Sequence, residues 1–166
     1  MVIQTKITFP EYRRLLFGLA YKKPIMKLIV CVGVAMLVWI LSYYLHVLPL
    51  PKPLVYQYIT LILISIVQPV VIYWTIKRNY DSSNHLGEQL EIEITEEEIK
   101  IQGESFYTEI TWKKIFKIDE QKSWFLIYQN TLSAIIIPKK DFHSEDLDAF
   151  KKIIAAIPGT PVHLKH

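Results

Sequence analysis

The sequence predicts a membrane protein of the α+β class, in which a hairpin of two transmembrane helices is joined to a small antiparallel β-barrel or sandwich capped by a C-terminal helix. Two long apolar runs, 28–48 and 54–76, predict the hairpin. Beyond residue 88, apolar residues recur at every second position, which predicts strands. A similar alternation before the hairpin predicts one more strand, which is expected to join the same sheet.

Each apolar run is long enough to cross a bilayer. The runs contain 21 and 23 residues and no Asp, Glu, Lys or Arg. At about 1.5 Å per residue, each helix covers roughly 30 Å, the thickness of the hydrocarbon core. A pair of buried helices in a soluble protein is disfavoured, because two such runs rarely occur in so short a chain. The connection contains Pro49, Pro51 and Pro53 and is too short for a domain, so a tight antiparallel hairpin is expected.

Basic residues flank the hairpin on the side of both termini, whereas the connection holds only Lys52. The flanking residues are Arg13, Arg14, Lys22, Lys23, Lys27, Lys77 and Arg78. Because positively charged flanks remain in the cytoplasm, the sequence predicts a two-pass protein with both termini cytoplasmic. The net charge of +3, concentrated beside the hairpin, fits a lipid bilayer with anionic lipid heads better than nucleic acid.

Gln68 and Pro69 interrupt the second apolar run and are the candidate polar and kink residues within the membrane. The ordinary interpretation is a proline kink with one interhelical hydrogen bond from the glutamine. The functional alternative is a pore or a substrate site. Cys31 is the only cysteine, which excludes an intrachain disulfide.

The patterns divide the chain into five parts. These are an N-terminal strand and amphipathic helix (1–24), the hairpin (25–78), a polar linker (79–88), a β-rich domain with a C-terminal helix (89–158) and a loose tail (159–166). In the first part, residues 2–9 alternate as a strand, and Thr8 with Glu11 forms a capping box for a helix over 10–21. That helix is expected either to lie on the inner leaflet or to dock on the soluble domain.

The β-rich domain is predicted to be an antiparallel meander followed by one helix. Its strands are expected near 90–94, 99–101, 106–112, 114–119, 123–129 and 132–137. Pro138 ends the last strand, and Ser144 is expected to cap the final helix.

Several motifs of this domain resemble the YcxB-like family of small bacterial membrane proteins. They lie at 94–99, 110–115, 125–128, 135–142 and 144–150, and the family's order of strand, helix, hairpin and domain is similar too. The resemblance implies a domain similar to bacterial pleckstrin-homology-like (PH-like) folds and a location at the bacterial inner membrane. It implies no established activity and supplies no catalytic residues.

Basic residues of the domain are the candidate contacts to lipid heads or to a partner. They are Lys113, Lys114, Lys117, Lys139 and Lys140. Facing anionic lipid, each would contribute about 1 kcal/mol, and an ordinary solvated face is the alternative interpretation.

Catalytic, cofactor and metal sites are not expected. The acidic run 96–98 lacks the spacing of a calcium loop, and the histidines at 85, 143, 163 and 166 lack a zinc pattern. Asp141, His143 and Ser144 are neighbours in a capping turn, where triad geometry is rare. Phosphate-loop and dinucleotide glycine motifs are missing from the sequence.

The leading hypothesis is therefore a non-enzymatic inner-membrane protein whose cytoplasmic β domain binds a protein partner, a second copy of the chain or lipid heads. One alternative is a resistance or immunity protein that meets a toxin or bacteriocin at the membrane. Another is an oligomeric channel or transporter component built on Gln68 and Pro69.

Overall fold

The computed structural model describes residues 1–83, 86–131 and 133–164. Contacts divide the chain into two units. Residues 8–83 form a helical unit, and residues 1–7 together with 84–166 form a β unit. The β unit is therefore built from both ends of the sequence, and the helical unit is inserted between its first and second strands.

The helical unit begins with α1 (Phe9–Lys22) and α2 (Pro24–Tyr44). A second long helix, Val55–Ser82, consists of α3 (Val55–Ile62), a π-helical turn (Leu63–Val67) and α4 (Gln68–Ser82). Pro24–Tyr44 and Val55–Ser82 are long and apolar enough to cross a membrane, by length and composition. The first helix starts and ends four residues before the predicted run, and the second continues six residues beyond its run.

The two long helices pack as an antiparallel pair. The hydroxyl oxygens of Tyr44 and Tyr58 lie 3.0 Å apart near the connection. Towards the other end, α2 passes close to the π-helical turn at Gly33, where an added Cβ would lie only 2.9 Å from Cγ2 of Ile64. Glycine therefore permits this close approach, because a larger side chain would require Ile64 or the helices to shift.

α1 packs against α4 and α2, an arrangement that was not among the two alternatives drawn from the sequence. As predicted, the carboxylate of Glu11 caps the helix, accepting hydrogen bonds from the N–H and the hydroxyl of Thr8 at 3.0 and 2.8 Å. The rings of Phe9 and Tyr12 lie 5.4 and 5.6 Å from the ring of Tyr80 on α4. The apolar face of α1 is thus used within the helical unit.

The β unit contains two four-stranded sheets and one helix. The first sheet has the antiparallel order β1 (Val2–Thr5), β2 (Leu90–Ile94), β3 (Glu98–Gln102), β4 (Tyr107–Thr111). The second contains β5 (Lys117–Glu120), β6 (Trp124–Tyr128), β7 (Ala134–Pro138) and β8 (Val162–His163), in the order β7-β6-β5-β8. The helix α5 (Ser144–Ala155) follows β7.

Both sheets and α5 share one hydrophobic core. Ile3 of β1 is paired with Ile92 of β2, and both side chains are buried. From the other side, Phe125 of β6 packs edge-on against Phe150 of α5, with ring centroids 4.8 Å apart. The predicted joining of the N-terminal strand to the sheet is confirmed, as are the six later strands and the final helix.

Three boundaries differ from the predictions. The first strand ends at Thr5, because Thr8 already caps α1. The N-cap of α5 is His143, and Ser144 is the first helical residue, so the prediction of Ser144 as the cap is wrong by one position. Within the predicted loose tail, Val162–His163 pair in parallel with β5, and the Ile118 N–H donates to the Pro161 carbonyl at 2.9 Å.

That last strand has only two residues, which is too short for an alternating pattern to be visible in the sequence. Five residues of the predicted elements lie outside the described residues: Asn84 and His85 in the linker, Leu132 at the start of the sixth strand, and Lys165 and His166 at the end of the tail.

Candidate functional site

Lys117 and Lys139, which are among the five predicted contact lysines, form ion pairs inside the β unit. Lys117 pairs with Asp119 at 2.6 Å, and its ammonium lies 4.3 Å from the ring centroid of Tyr128. The hydrogen bond to the Asp119 carboxylate raises the pKa of Lys117 above its ordinary value of 10.5. Lys139 forms an ion pair with Glu120 and lies over the ring of Phe125. These two charges are therefore largely compensated within the protein.

Glu120 is a buried, ion-paired carboxylate that was not predicted from the sequence. Its side chain is buried at an inward position of β5, where Lys151 of α5 also reaches it at 3.0 Å. A buried carboxylate held by two lysines that come from different elements ties the second sheet to α5. One feature of the sequence indicates its burial: Glu120 lies two residues after Ile118, so both side chains face the core side of the strand.

Lys113 lines a cleft of about 710 Å³ between the β2–β3 turn and α5. One wall is formed by the turn and the end of β4, the other by the C-terminal half of α5 and the residues after it. The lining residues are Glu96, Glu97, Thr111, Trp112, Lys113, Lys152, Ile153, Ala156, Ile157 and Pro158. The cleft thus combines apolar side chains with two acidic and two basic side chains.

Trp112 holds the turn in place at the floor of this cleft. Its indole N–H donates to the carbonyl of Thr95 at 2.9 Å, and its backbone N–H donates to the carbonyl of Glu97 at 3.1 Å. The hydroxyl of Thr95 accepts from the N–H of Glu98 at 3.1 Å, which closes the turn. Because the indole is buried and its donor is satisfied, the acidic turn is fixed relative to the rest of the sheet.

The remaining two predicted lysines lie on short 3-10 helices. Lys114 is exposed in Trp112–Lys114, which follows β4, and Lys140 is exposed in Lys139–Asp141, which follows β7. Of the five lysines, Lys113 alone lines the cleft. Sequence reasoning found the turn, Trp112 and Lys113, but it missed the wall that α5 provides.

The carboxylate of Asp141 has a structural role that competes with a catalytic one. It accepts a hydrogen bond from the hydroxyl of Thr5 on β1 at 2.6 Å. Among residues 1–83, 86–131 and 133–164, no group of three or more His, Cys, Asp or Glu side chains has a metal-binding arrangement.

In the helical unit, the π-helical turn ends directly before Gln68 and Pro69. The N–H of Gln68 donates to the carbonyl of Leu63, five residues back, and Pro69 has no N–H to donate. The side-chain amide of Gln68 donates to the sulfur of Met26 on α2 at 3.3 Å. Its Oε1 is buried and has no hydrogen-bond partner among the described residues. Gln68 thus provides an interhelical contact and one unsatisfied acceptor.

Charge is divided unevenly between the units. The helical unit has eight Lys and Arg and two acidic residues, a formal charge of +6. The β unit has eleven Lys and fourteen acidic residues, a formal charge of −3. The positive charge that the whole sequence shows therefore belongs to the helices, and the β unit by itself is acidic.

Comparison with known families identifies the larger part of the β unit. The chain combines this sheet-rich unit with two helices that are long and apolar enough to cross a membrane. Residues 94–154 match the family model described as YcxB-like protein, from the end of β2 to Ile154 in α5. The resemblance seen in the sequence is thereby confirmed for this segment, which includes most of the cleft. No curated protein and no solved structure showed a significant match to the chain.

Proposed function

We propose that the protein is a two-pass protein of the bacterial inner membrane with the β unit on the cytoplasmic side. β1 precedes both long helices in the sequence and β2 follows them, yet the two strands are hydrogen-bonded neighbours. They must lie on the same side of a membrane, so the chain between them crosses it an even number of times. The basic flanks of the hairpin favour the cytoplasm for that side.

The PH-like arrangement implied by the family resemblance is part of the same proposal. Two four-stranded sheets that share one core, followed by a single helix, support it. In this arrangement α5 closes one end of a split barrel, and the β2–β3 turn beside it forms the rim of the Trp112 cleft.

The function that the geometry supports best is a membrane-anchored, non-enzymatic module that binds a protein partner through the Trp112 cleft. The observation that carries this proposal is the cleft's mixed lining: apolar Ile153, Ile157 and Pro158 line it together with the acidic turn, Lys113 and Lys152. A concave surface that combines apolar and charged side chains is typical of protein-binding sites. The formal charge of −3 disfavours anionic lipid as the main ligand of the β unit.

Site-specific photo-crosslinking in cells tests this function. A photoreactive phenylalanine analogue at Ala156, an exposed residue of the cleft, is expected to crosslink a discrete protein. The same analogue at Lys122, exposed in the β5–β6 turn, is the matched control and is expected to give no such product. Lys152→Glu should abolish the Ala156 product, because it reverses the charge of the rim.

Equal crosslinking from both positions, or a product from Ala156 that is insensitive to Lys152→Glu, would contradict the assignment of the cleft. The resistance or immunity role and the channel role are kept as alternatives. The first predicts that the crosslinked protein is a toxin, and the second predicts a product between two copies of this chain.

A further inference from the structure

We propose that the helical unit carries a binding site for an anionic phospholipid on α4. The site is formed by Trp74, Lys77 and Arg78, together with Asp81 and Ser82. This site is separate from the lysines of the β unit, and it rests on membrane insertion of the hairpin. The site is a shallow groove of about 460 Å³ lined by Trp74, Lys77, Arg78, Asp81 and Ser82.

The level of the groove along the hairpin fits the edge of a bilayer. Gln68 contacts Met26, two residues from the start of α2, so the apolar pairing of the hairpin ends near this point. α4 continues for 14 more residues to Ser82, roughly 20 Å at 1.5 Å per residue. The apolar run of this helix ends at Ile76, so Trp74 lies near the boundary of the apolar segment, and Arg78 lies about one turn beyond Trp74.

One face of the second long helix presents chemical groups in the order found along a phospholipid. Val67, Val71, Trp74 and Arg78 recur at intervals of three or four residues and are all exposed. Apolar side chains would follow the acyl chain, Trp74 would lie at the glycerol level and Arg78 would meet the phosphate. The 66% exposure of Trp74 is unusual for tryptophan in a packed protein and is ordinary at a membrane interface.

The electrostatics of the groove favour an anion. Lys77 pairs with Asp81 at 3.2 Å, whereas Arg78 has no ion-pair partner among the described residues. Arg13 of α1 and Lys77 of α4 both lie within 6 Å of the ring centroid of Phe9, so α1 brings further positive charge towards this end of α4. A guanidinium can bind phosphate oxygens in a bidentate manner, which makes Arg78 the principal anion contact.

Native mass spectrometry of the full-length protein tests the site. The protein is released from nanodiscs of phosphatidylcholine with a minor fraction of phosphatidylglycerol, and the retained lipids are counted. The wild type is expected to retain phosphatidylglycerol preferentially, and Arg78→Gln should lower that retention about fivefold. Arg78→Lys should restore part of it, because it restores the charge without the bidentate geometry.

Lys23→Gln is the matched control, since Lys23 is an exposed cation at the same end of the hairpin and outside the groove. It should leave retention within about a factor of two, because an exposed charge outside the site acts only through a screened field. Equal losses in Arg78→Gln and Lys23→Gln would overturn the site and indicate a diffuse charge effect. Displacement of the lipid by excess inorganic phosphate would also overturn it, because a soluble anion would then suffice.

The same experiment separates this inference from the proposed function. A chain that fails to assemble into nanodiscs overturns membrane insertion and the lipid site together. A chain that assembles but shows no preference for phosphatidylglycerol overturns the lipid site alone, and leaves the two-pass arrangement and the Trp112 cleft standing.

Discussion

At the scale of single residues, Glu120 is a buried charge that joins the second sheet to α5. It is 3% exposed and is held by Lys139 and Lys151. Moving a carboxylate out of water costs several kcal/mol unless cations and hydrogen bonds compensate it. The ion pairs are therefore needed because the acid is buried, and removing the acid leaves two ammonium groups facing each other.

We expect Glu120→Gln to lower the free energy of unfolding by about 3 kcal/mol, because it breaks a buried ion-pair network at its centre. Lys151→Gln should cost less, since Lys139 still compensates the acid. Denaturant unfolding of the full chain in mild detergent, followed by the loss of β-sheet signal, measures both. Glu104→Gln, at an exposed position, is the control. A smaller effect for Glu120→Gln than for Lys151→Gln would contradict this role.

Single residues were predictable from the sequence where their chemistry was unusual for their surroundings. Gln68 and Pro69 were recognised because an amide and a proline interrupt a run of apolar residues. Lys139 was recognised as a charge, but its partner Glu120 was not, because only the folded β unit brings these two residues together. Periodicity in the sequence indicates which face of a strand or helix a residue occupies. It does not indicate which residues of other elements pack against that face.

At the scale of elements, the crossing of α2 and the π-helical turn depends on one glycine. Helices in lipid gain no hydrophobic energy from their association, so close packing at small residues stabilises their pairing. Gly33 provides this contact, with Ile64 directly opposite.

Gly33→Val is expected to destabilise the hairpin by about 2 kcal/mol, because its side chain overlaps Ile64. Gly18→Val in α1 is the matched control, since a Cβ there meets nothing within 4 Å. Unfolding of the full chain in detergent, followed by the helical signal, gives the difference between the two variants. A loss of stability no larger at Gly33 than at Gly18 would show that the crossing tolerates separation.

The presence and type of most helices and strands were predictable from the sequence, but their first and last residues were not. Both long helices and the strands β1 to β7 follow from hydrophobic length and periodicity. The two-residue β8 has no periodicity to detect, and α5 begins one residue earlier than predicted, with His143 at the N-cap although its side chain makes no capping hydrogen bond. The partner of α1 was missed because an amphipathic face predicts burial without naming the surface that buries it.

At the scale of the whole molecule, the β unit needs both ends of the sequence. Without β1, β2 becomes an edge strand, and the core loses Ile3, which is buried against Ile92.

A fragment of residues 84–166 is therefore expected to aggregate or to unfold at low denaturant. A fragment in which residues 1–7 are joined to residues 84–166 by a short glycine–serine linker should fold cooperatively. Size-exclusion chromatography and amide NMR spectra distinguish the two, and Ile3→Asp in the linked fragment is the control for pairing by β1. Equal solubility and equal spectral dispersion of the two fragments would contradict the need for β1.

The pairing of β1 with β2 also fixes the order in which the protein can be made. Ile3 leaves the ribosome 89 positions before its partner Ile92. In the interval both long helices must be synthesised, and on the proposed topology they must also enter the membrane. On that topology β1 stays unpaired while the hairpin is inserted, and β2 can pair with it only afterwards. On the proposed topology, the pairing of β1 with β2 therefore requires that both long helices are inserted. A chain that inserted only one of them would leave β1 and β2 on opposite sides of the membrane, where they could not pair.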